Sequence, residues 1–394
     1  MLDRRTFLGT LGAGLAVAAN PLPVAFANAP TENRLVFVVL RGGLDGLHAL
    51  PPYADKNYQT LRPTLAIGVP GSENGALDLD GHFGLHPALK DLLPFYKRGE
   101  MIVIPASTTR YRNRSHFDGQ NLLENGSGKP YGAPDGFLNR ALTGLKAGDA
   151  RLGLALGPAV PLILQGEAGV QAWARSKLPA VDEDFLGRLA QVYRRDPLFA
   201  RALADARGSA KPDISMDDMQ APRGGDRFNL TAKAAAQLLA MDDGPRVAVM
   251  EMQGWDTHFG QERRLSNLFT ELGRGMATFR DEIGGAWAKT TVIIVSEFGR
   301  TVSENGSRGT DHGTGGIAFL LGGAVNGGHI IGDWPGLTEA ARYEGRDLNP
   351  VNAYEAIFKA ALISQLGVSH SFLEDKVLPN SAAIEPWDGL FKTV

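Results

Sequence analysis

The sequence contains no cysteine. Disulfides, zinc–thiolate sites, thiol nucleophiles and a formylglycine made from cysteine are therefore excluded, and any bound metal must use His, Asp, Glu or hydroxyl oxygen. No block of Lys or Arg interrupts the chain, and the formal net charge is only −3 at pH 7. Nucleic acid has no electrostatic footprint to bind. No internal repeat is evident, and the mature chain offers no stable membrane span. What is present is apolar material: 43% of 394 residues are hydrophobic and 21% charged, enough for a large core in one big domain or two modest ones.

The first 27 residues, "MLDRRTFLGTLGAGLAVAANPLPVAFA", read as an address. Arg4-Arg5 precede Thr6-Phe7-Leu8, a moderately apolar stretch rich in Gly and Ala follows, and Ala25-Phe26-Ala27 stands before a cleavage point. The segment resembles a bacterial twin-arginine signal, which implies the twin-arginine translocase as a partner during export and a periplasmic or secreted mature protein.

Three apolar runs rich in β-branched residues share one arrangement. Leu35 to Leu40 lead to a glycine turn and Asp45; Val247 to Met252 lead to Asp256 and His258; Thr291 to Val295 lead to Glu297 and Arg300. Buried strands separated by helical segments predict a mostly parallel sheet covered on both faces, a three-layer α/β sandwich, whose sites form at the carboxyl ends of the strands. Acids from distant parts of the chain can then converge. Leu265, Leu268, Phe269, Leu272, Met276, Phe279 and Ile283 fall on one helical stripe. Asn349-Pro350 predicts the start of a last helix that stops at Gly367. Residues 208–229 lack periodicity and are rich in turn formers, which predicts a surface loop or flap.

Of eight histidines, His48, His82, His329 and His370 read as surface or core residues. His258 stands two residues after Asp256, and His312 directly after Asp311 in "GTDHGTGG", both among glycines that let backbone approach a small site. Imidazole nitrogen with carboxylate oxygen suits zinc, or manganese with more oxygen ligands. Ser115 precedes the helical segment "HFDGQNLLEN". Its hydroxyl would stand where helix N–H groups favour an anion, or would serve as an ordinary N-cap. Arg110, Arg112 and Arg114 beside it suggest an oxyanion cradle.

The stretches "RGGLDGL", "HPALKDLLPFYKRGEMIVIPASTTRYRNRSHFDGQNLLENG", "GWDTH", "SEFGRT" and "DHGTGG", in this order, resemble the DUF1501 family of exported bacterial proteins, over nearly all of residues 32–385. That family is related to the alkaline phosphatase and sulfatase superfamily. The resemblance implies an alkaline phosphatase-like α/β domain over residues 28–394, with Asp45 as the metal-binding acid after the first strand, Ser115 as nucleophile, and Asp256, His258 and His312 as metal ligands. Two departures stand out. Phe298 follows Glu297 where the superfamily has an Asp-His pair, and the Pro and Arg that follow a sulfatase nucleophile are absent.

The expected activity is metal-assisted hydrolysis of a small-molecule or glycan ester, phosphate ahead of sulfate. Ser115 would attack beside a metal on Asp45 and Glu297, with a second metal on Asp256, His258 and His312. Arg114 or Arg300 would hold the non-bridging oxygens, and Asp311 would orient a ligand or coordinate weakly. Zinc leads the candidate metals, with manganese, calcium and magnesium as alternatives. The competing expectation is a non-catalytic exported protein that binds polysaccharide or a surface and keeps the fold around a degraded site.

Overall fold

The structure, a computed structural model, describes residues 31–145, 152–174, 182–207, 212 and 227–392. The expected signal segment, residues 1–27, lies outside the described residues, as does nearly all of the loop expected at 208–229. Residues 227–229 of that span instead begin a helix.

One nine-stranded sheet organises the chain. Its strands are β1 (Arg34–Arg41), β2 (Met101–Thr108), β3 (Gly153–Leu156), β4 (Val170–Trp173), β5 (Val247–Gln253), β6 (Thr290–Val295), β7 (Gly316–Leu321), β8 (His329–Ile330) and β9 (Asn352–Ala353). The order is β8-β2-β7-β6-β1-β5-β3-β4, with β9 also pairing β2. All pairings are parallel except those of β7, which runs antiparallel to β2 and β6. The mostly parallel α/β sandwich expected from the three apolar runs is thus the architecture found.

Two-sided burial explains why β1 reads as a continuous apolar run. Successive side chains point to opposite faces. Val36, Val38 and Leu40 pack with helices α5 (Arg227–Ala240) and α6 (Gln261–Ile283), whereas Leu35, Phe37 and Val39 pack with α2 (Phe137–Gly144) and α7 (Tyr354–Leu366). The α6 stripe buries Leu265, Phe269, Leu272, Met276, Phe279 and Ile283, as its spacing requires. Helix α7 starts later than Asn349-Pro350 suggests, at Tyr354, because Asn352 and Ala353 are drawn into pairing with Ser107 and Thr108 of β2. It ends at Gly367 in the left-handed region, φ 68°.

Three further features position the site. Helix α1 (His116–Asn125) follows β2. The loops after β1, β5 and β6 leave the sheet at one edge, the carboxyl ends of the parallel strands. Since β7 alone is antiparallel, the loop that precedes it, carrying Asp311 and His312, emerges at that same edge. Helices α3 (Glu183–Tyr193) and α4 (Pro197–Arg207) are joined by a stack of Tyr193 on Phe199 with ring centroids 5.1 Å apart.

Candidate metal centre

At that edge three histidines and one aspartate meet. His116 opens α1, Asp256 and His258 sit on the loop after β5, and His312 stands before β7. His312 Nε2 lies 2.9 Å from His116 Nε2, 3.0 Å from His258 Nε2 and 3.2 Å from Asp256 Oδ1. His116 Nε2 is 3.5 Å from Asp256 Oδ2, and His258 Nε2 is 3.0 Å from Asp256 Oδ1. One ligand atom from each of His116, Asp256 and His312 falls within a span of 4.8 Å, and His258 adjoins this set through its short contacts to the other two loop residues.

The chemistry of these donors fits a cation. Each ring has its Nδ1 against an acceptor: His116 on Glu297 Oε1 at 2.7 Å, His258 on Asp311 Oδ1 at 3.0 Å, and His312 on the Arg114 carbonyl at 2.9 Å. A carbonyl or carboxylate can only accept, so the proton of each neutral ring belongs on Nδ1 and the lone pair on Nε2. Lone pairs about 3 Å apart repel unless a proton or a metal lies among them. Nitrogens about 2.05 Å from a tetrahedral zinc stand about 3.3 Å apart, within a few tenths of the spacing found here.

The surroundings hold these donors in place. Glu297 is fully buried, and its Oε1 also accepts from Gly42 N and Gln120 Nε2, both at 2.9 Å. Burial opposes its charge, yet His116 and Gln120 outweigh that cost and keep the carboxyl below the usual glutamate range. Asp256 follows the same logic: burial pushes it up, Arg300 with His258 and His116 pull it further down. Burial also opposes a charged His116, but Glu297 and Asp256 raise it above the ordinary histidine value. His312 is lowered by burial and by the neighbouring His116 and Arg300. Phe298, 1% exposed, stacks on His116 at 4.8 Å between centroids. It supports the His116 ring.

Not every expected residue comes to the centre. Asp45 is buried elsewhere: Arg62 Nη1 at 2.8 Å and Gln261 Nε2 at 2.6 Å occupy its Oδ2, and the His48 N–H at 3.2 Å occupies Oδ1. Glu297 reaches the cluster only through His116. Arg300, with no exposed side chain, donates to Asp256 Oδ1 at 2.7 Å and to Thr310. Arg114 has φ 62°, which turns its carbonyl toward His312. Its guanidinium binds Asp347 Oδ2 at 2.7 Å and Glu344 Oε2 at 2.5 Å. Arg110 binds Glu355 and the Asn380 carbonyl, and Arg112 binds the carbonyls of Thr109 and Tyr111. The three arginines beside α1 thus serve the chain's own acceptors. Ser115 is the N-cap of α1 without a side-chain capping bond, half-buried, and one residue from His116.

His116 carried no expectation from the sequence. Its signal is positional, a histidine in the first turn of a helix that follows a buried strand.

Comparison with known proteins places the chain as follows. A sequence profile described as "Protein of unknown function (DUF1501)" matches residues 32–365. Among curated proteins none matches. Similar solved structures include Ps i-CgsB in complex with k-i-k-neocarrahexaose, at 10% identity and TM-score 0.43, covering 86% of this chain and 72% of that one. The lipoteichoic acid synthase LtaP from Listeria monocytogenes has 10% identity and TM-score 0.38, covering 91% and 78%. A protein in the alkaline phosphatase superfamily from Vibrio parahaemolyticus has 10% identity and TM-score 0.36, covering 82% and 69%. The profile match spans most of the sequence, and on it the chain belongs to the DUF1501 family.

Proposed function

We propose that the chain is an exported, metal-dependent ester hydrolase that acts on phosphate esters ahead of sulfate esters. The observation that carries this reading is the convergence of three imidazole Nε2 atoms and the Asp256 carboxylate, each imidazole held from behind through Nδ1. His116, Asp256 and His312 would hold one divalent ion, with His258 as a further ligand; zinc suits three nitrogens and an oxygen best, with manganese, calcium or magnesium as alternatives. Such an ion supplies Lewis acidity toward an ester's phosphoryl oxygen.

One ion rather than two follows from the fate of the other acids. Asp45 already carries the Arg62 guanidinium, and Glu297 is spent on His116, so neither is left to assemble a second centre. Arg114 and Arg300 are positioning residues, the first through its carbonyl on His312 and the second through Asp256. Asp311 does the same for His258.

Ser115 is the nucleophile in this reading. Its Oγ forms a bond to phosphorus as the ester's alcohol oxygen leaves with the serine proton, and water then cleaves the phosphoserine to regenerate the hydroxyl. The test is hydrolysis of a panel of phosphate mono- and diesters and sulfate esters, beside metal content by elemental analysis, for the wild type and Ser115→Ala. Turnover abolished in Ser115→Ala with metal retained is the expected result. Undiminished turnover would remove Ser115 from the mechanism, and a metal-loaded protein inert on every ester would favour the non-catalytic binding role.

Export rests on Arg4-Arg5 and the apolar stretch after them. Changing both arginines to lysine should trap the precursor in the cytoplasm; normal processing of that variant would sink the assignment. No helix among the described residues is long and apolar enough to cross a membrane.

A further inference from the structure

We propose that α3 is a two-fold interface through which two copies of this chain pair antiparallel. The helix has eleven residues, Glu183–Tyr193, and buries none of them. Yet Phe185, Leu186, Leu189, Val192 and Tyr193 are all apolar or aromatic. Phe185 is 50% exposed and Val192 71%, and Leu198 on the adjoining α4 is 75% exposed. A helix this short is marginal on its own in water, and helices owe most of their stability to packing of an apolar face. Phe185, Leu189 and Val192 are spaced by four and three residues, which places them on one such face.

The sequence of the helix names the occupant. Read from either end toward Leu189, "EDFLGRLAQVYRR" (residues 183–195) presents two charges, two apolar residues and two intervening residues, Gly187 and Arg188 on one side and Gln191 and Ala190 on the other, before the central leucine. The end charges are acidic on one side, Glu183 and Asp184, the latter also paired with Arg188 one turn on, and basic on the other, Arg194 and Arg195. A two-fold axis near Leu189 therefore sets Phe185 and Leu186 of one copy against Val192 and Tyr193 of the other, and each acidic end against a basic end. Isologous pairing demands this self-complementarity. Antiparallel helix dipoles add to it. Asp196, just beyond the basic end, is turned back to cap α4 through the N–H groups of Leu198 and Phe199.

One observation separates a second copy from a lipid surface. A lipid surface selects helices with a basic polar face, whereas here an anionic surface would repel Asp182, Glu183 and Asp184 at one end.

Sedimentation velocity on the full chain, over a range of micromolar concentrations, tests the proposal. The expected species has twice the chain mass. Phe185→Glu combined with Val192→Glu should give a monomer with unchanged circular dichroism. Asp184→Arg alone and Arg194→Asp alone should each weaken the dimer about tenfold, since each charge is used twice across a two-fold axis, and the combined variant should return to within about threefold of wild type. A monomeric wild type, a dimer that survives both glutamates, or a combined variant no better than the single ones would each overturn the pairing.

Discussion

An imidazole whose Nδ1 proton is committed to a carboxylate or carbonyl oxygen has only the Nε2 lone pair to offer, and His116, His258 and His312 share that commitment. His116→Ala should lose the bound metal, although the sequence drew attention to its neighbour Ser115 instead. Asp45→Asn should keep the full metal complement while losing about 3 kcal/mol or more of stability, because it leaves the buried Arg62 guanidinium without its counter-charge. Glu297→Gln should retain the fold but bind metal about 10–100-fold more weakly, since the amide no longer fixes the His116 tautomer and orientation. Elemental analysis, isothermal titration with zinc and chemical unfolding of the three variants check these outcomes. Metal loss in Asp45→Asn would restore that residue to the ligand set. The pairs Asp256/His258 and Asp311/His312 were legible because each sits in a short glycine-flanked loop beside an apolar run. The separate fates of Asp45 and Glu297 were not, because their partners Arg62, Gln261 and His116 lie 17, 216 and 181 residues away in sequence.

At the scale of elements, the centre is made by loops packing against each other, and glycine permits it. Gly42 has φ 124°, its N–H binds Glu297 Oε1, and a Cβ there would lie 2.4 Å from Asp256 N. Gly42→Ala should therefore reduce metal occupancy as well as the unfolding midpoint, although residue 42 offers no ligand. A destabilised variant that still binds metal with wild-type affinity would show that the loop after β5 tolerates the shift. The apolar runs announced β1, β5 and β6 and the stripe announced α6, since continuous burial and helical spacing leave their mark on local sequence. The antiparallel course of β7 left no such mark. Strand direction is decided by what pairs with what, and without it the "DHG" loop would emerge at the opposite edge from Asp256. The start of α7 was misplaced for a related reason, a two-residue pairing with β2 that takes Asn352 and Ala353 out of the helix.

For the whole molecule, part of the acid response lies with two buried histidines outside the candidate centre, His48 and His86. His48 and His86 are buried with ring centroids 4.8 Å apart, and burial lowers them to about 4 and about 3. The unfolded chain takes up their protons near the ordinary value of about 6.5, whereas the folded chain does so only well below it. Above that value both states are neutral and the pair contributes no pH dependence. Stability is then lost as pH falls from about 6.5 toward 4, by about 2 kcal/mol per histidine at pH 5. His116 works in the opposite sense, because its folded value is raised, so the wild-type slope is a difference between the two effects. A substitution isolates the buried pair. The His86 Nδ1 accepts from Ala88 N at 3.0 Å as an N-cap, a role that asparagine also fills, so His86→Asn should keep the cap while removing one titration. Urea unfolding at pH 7.5 and pH 5 should show the variant losing about 2 kcal/mol less than the wild type over that interval. An equal loss in both proteins would mean that His86 protonates in the folded state, and that the acid sensitivity of this fold lies elsewhere.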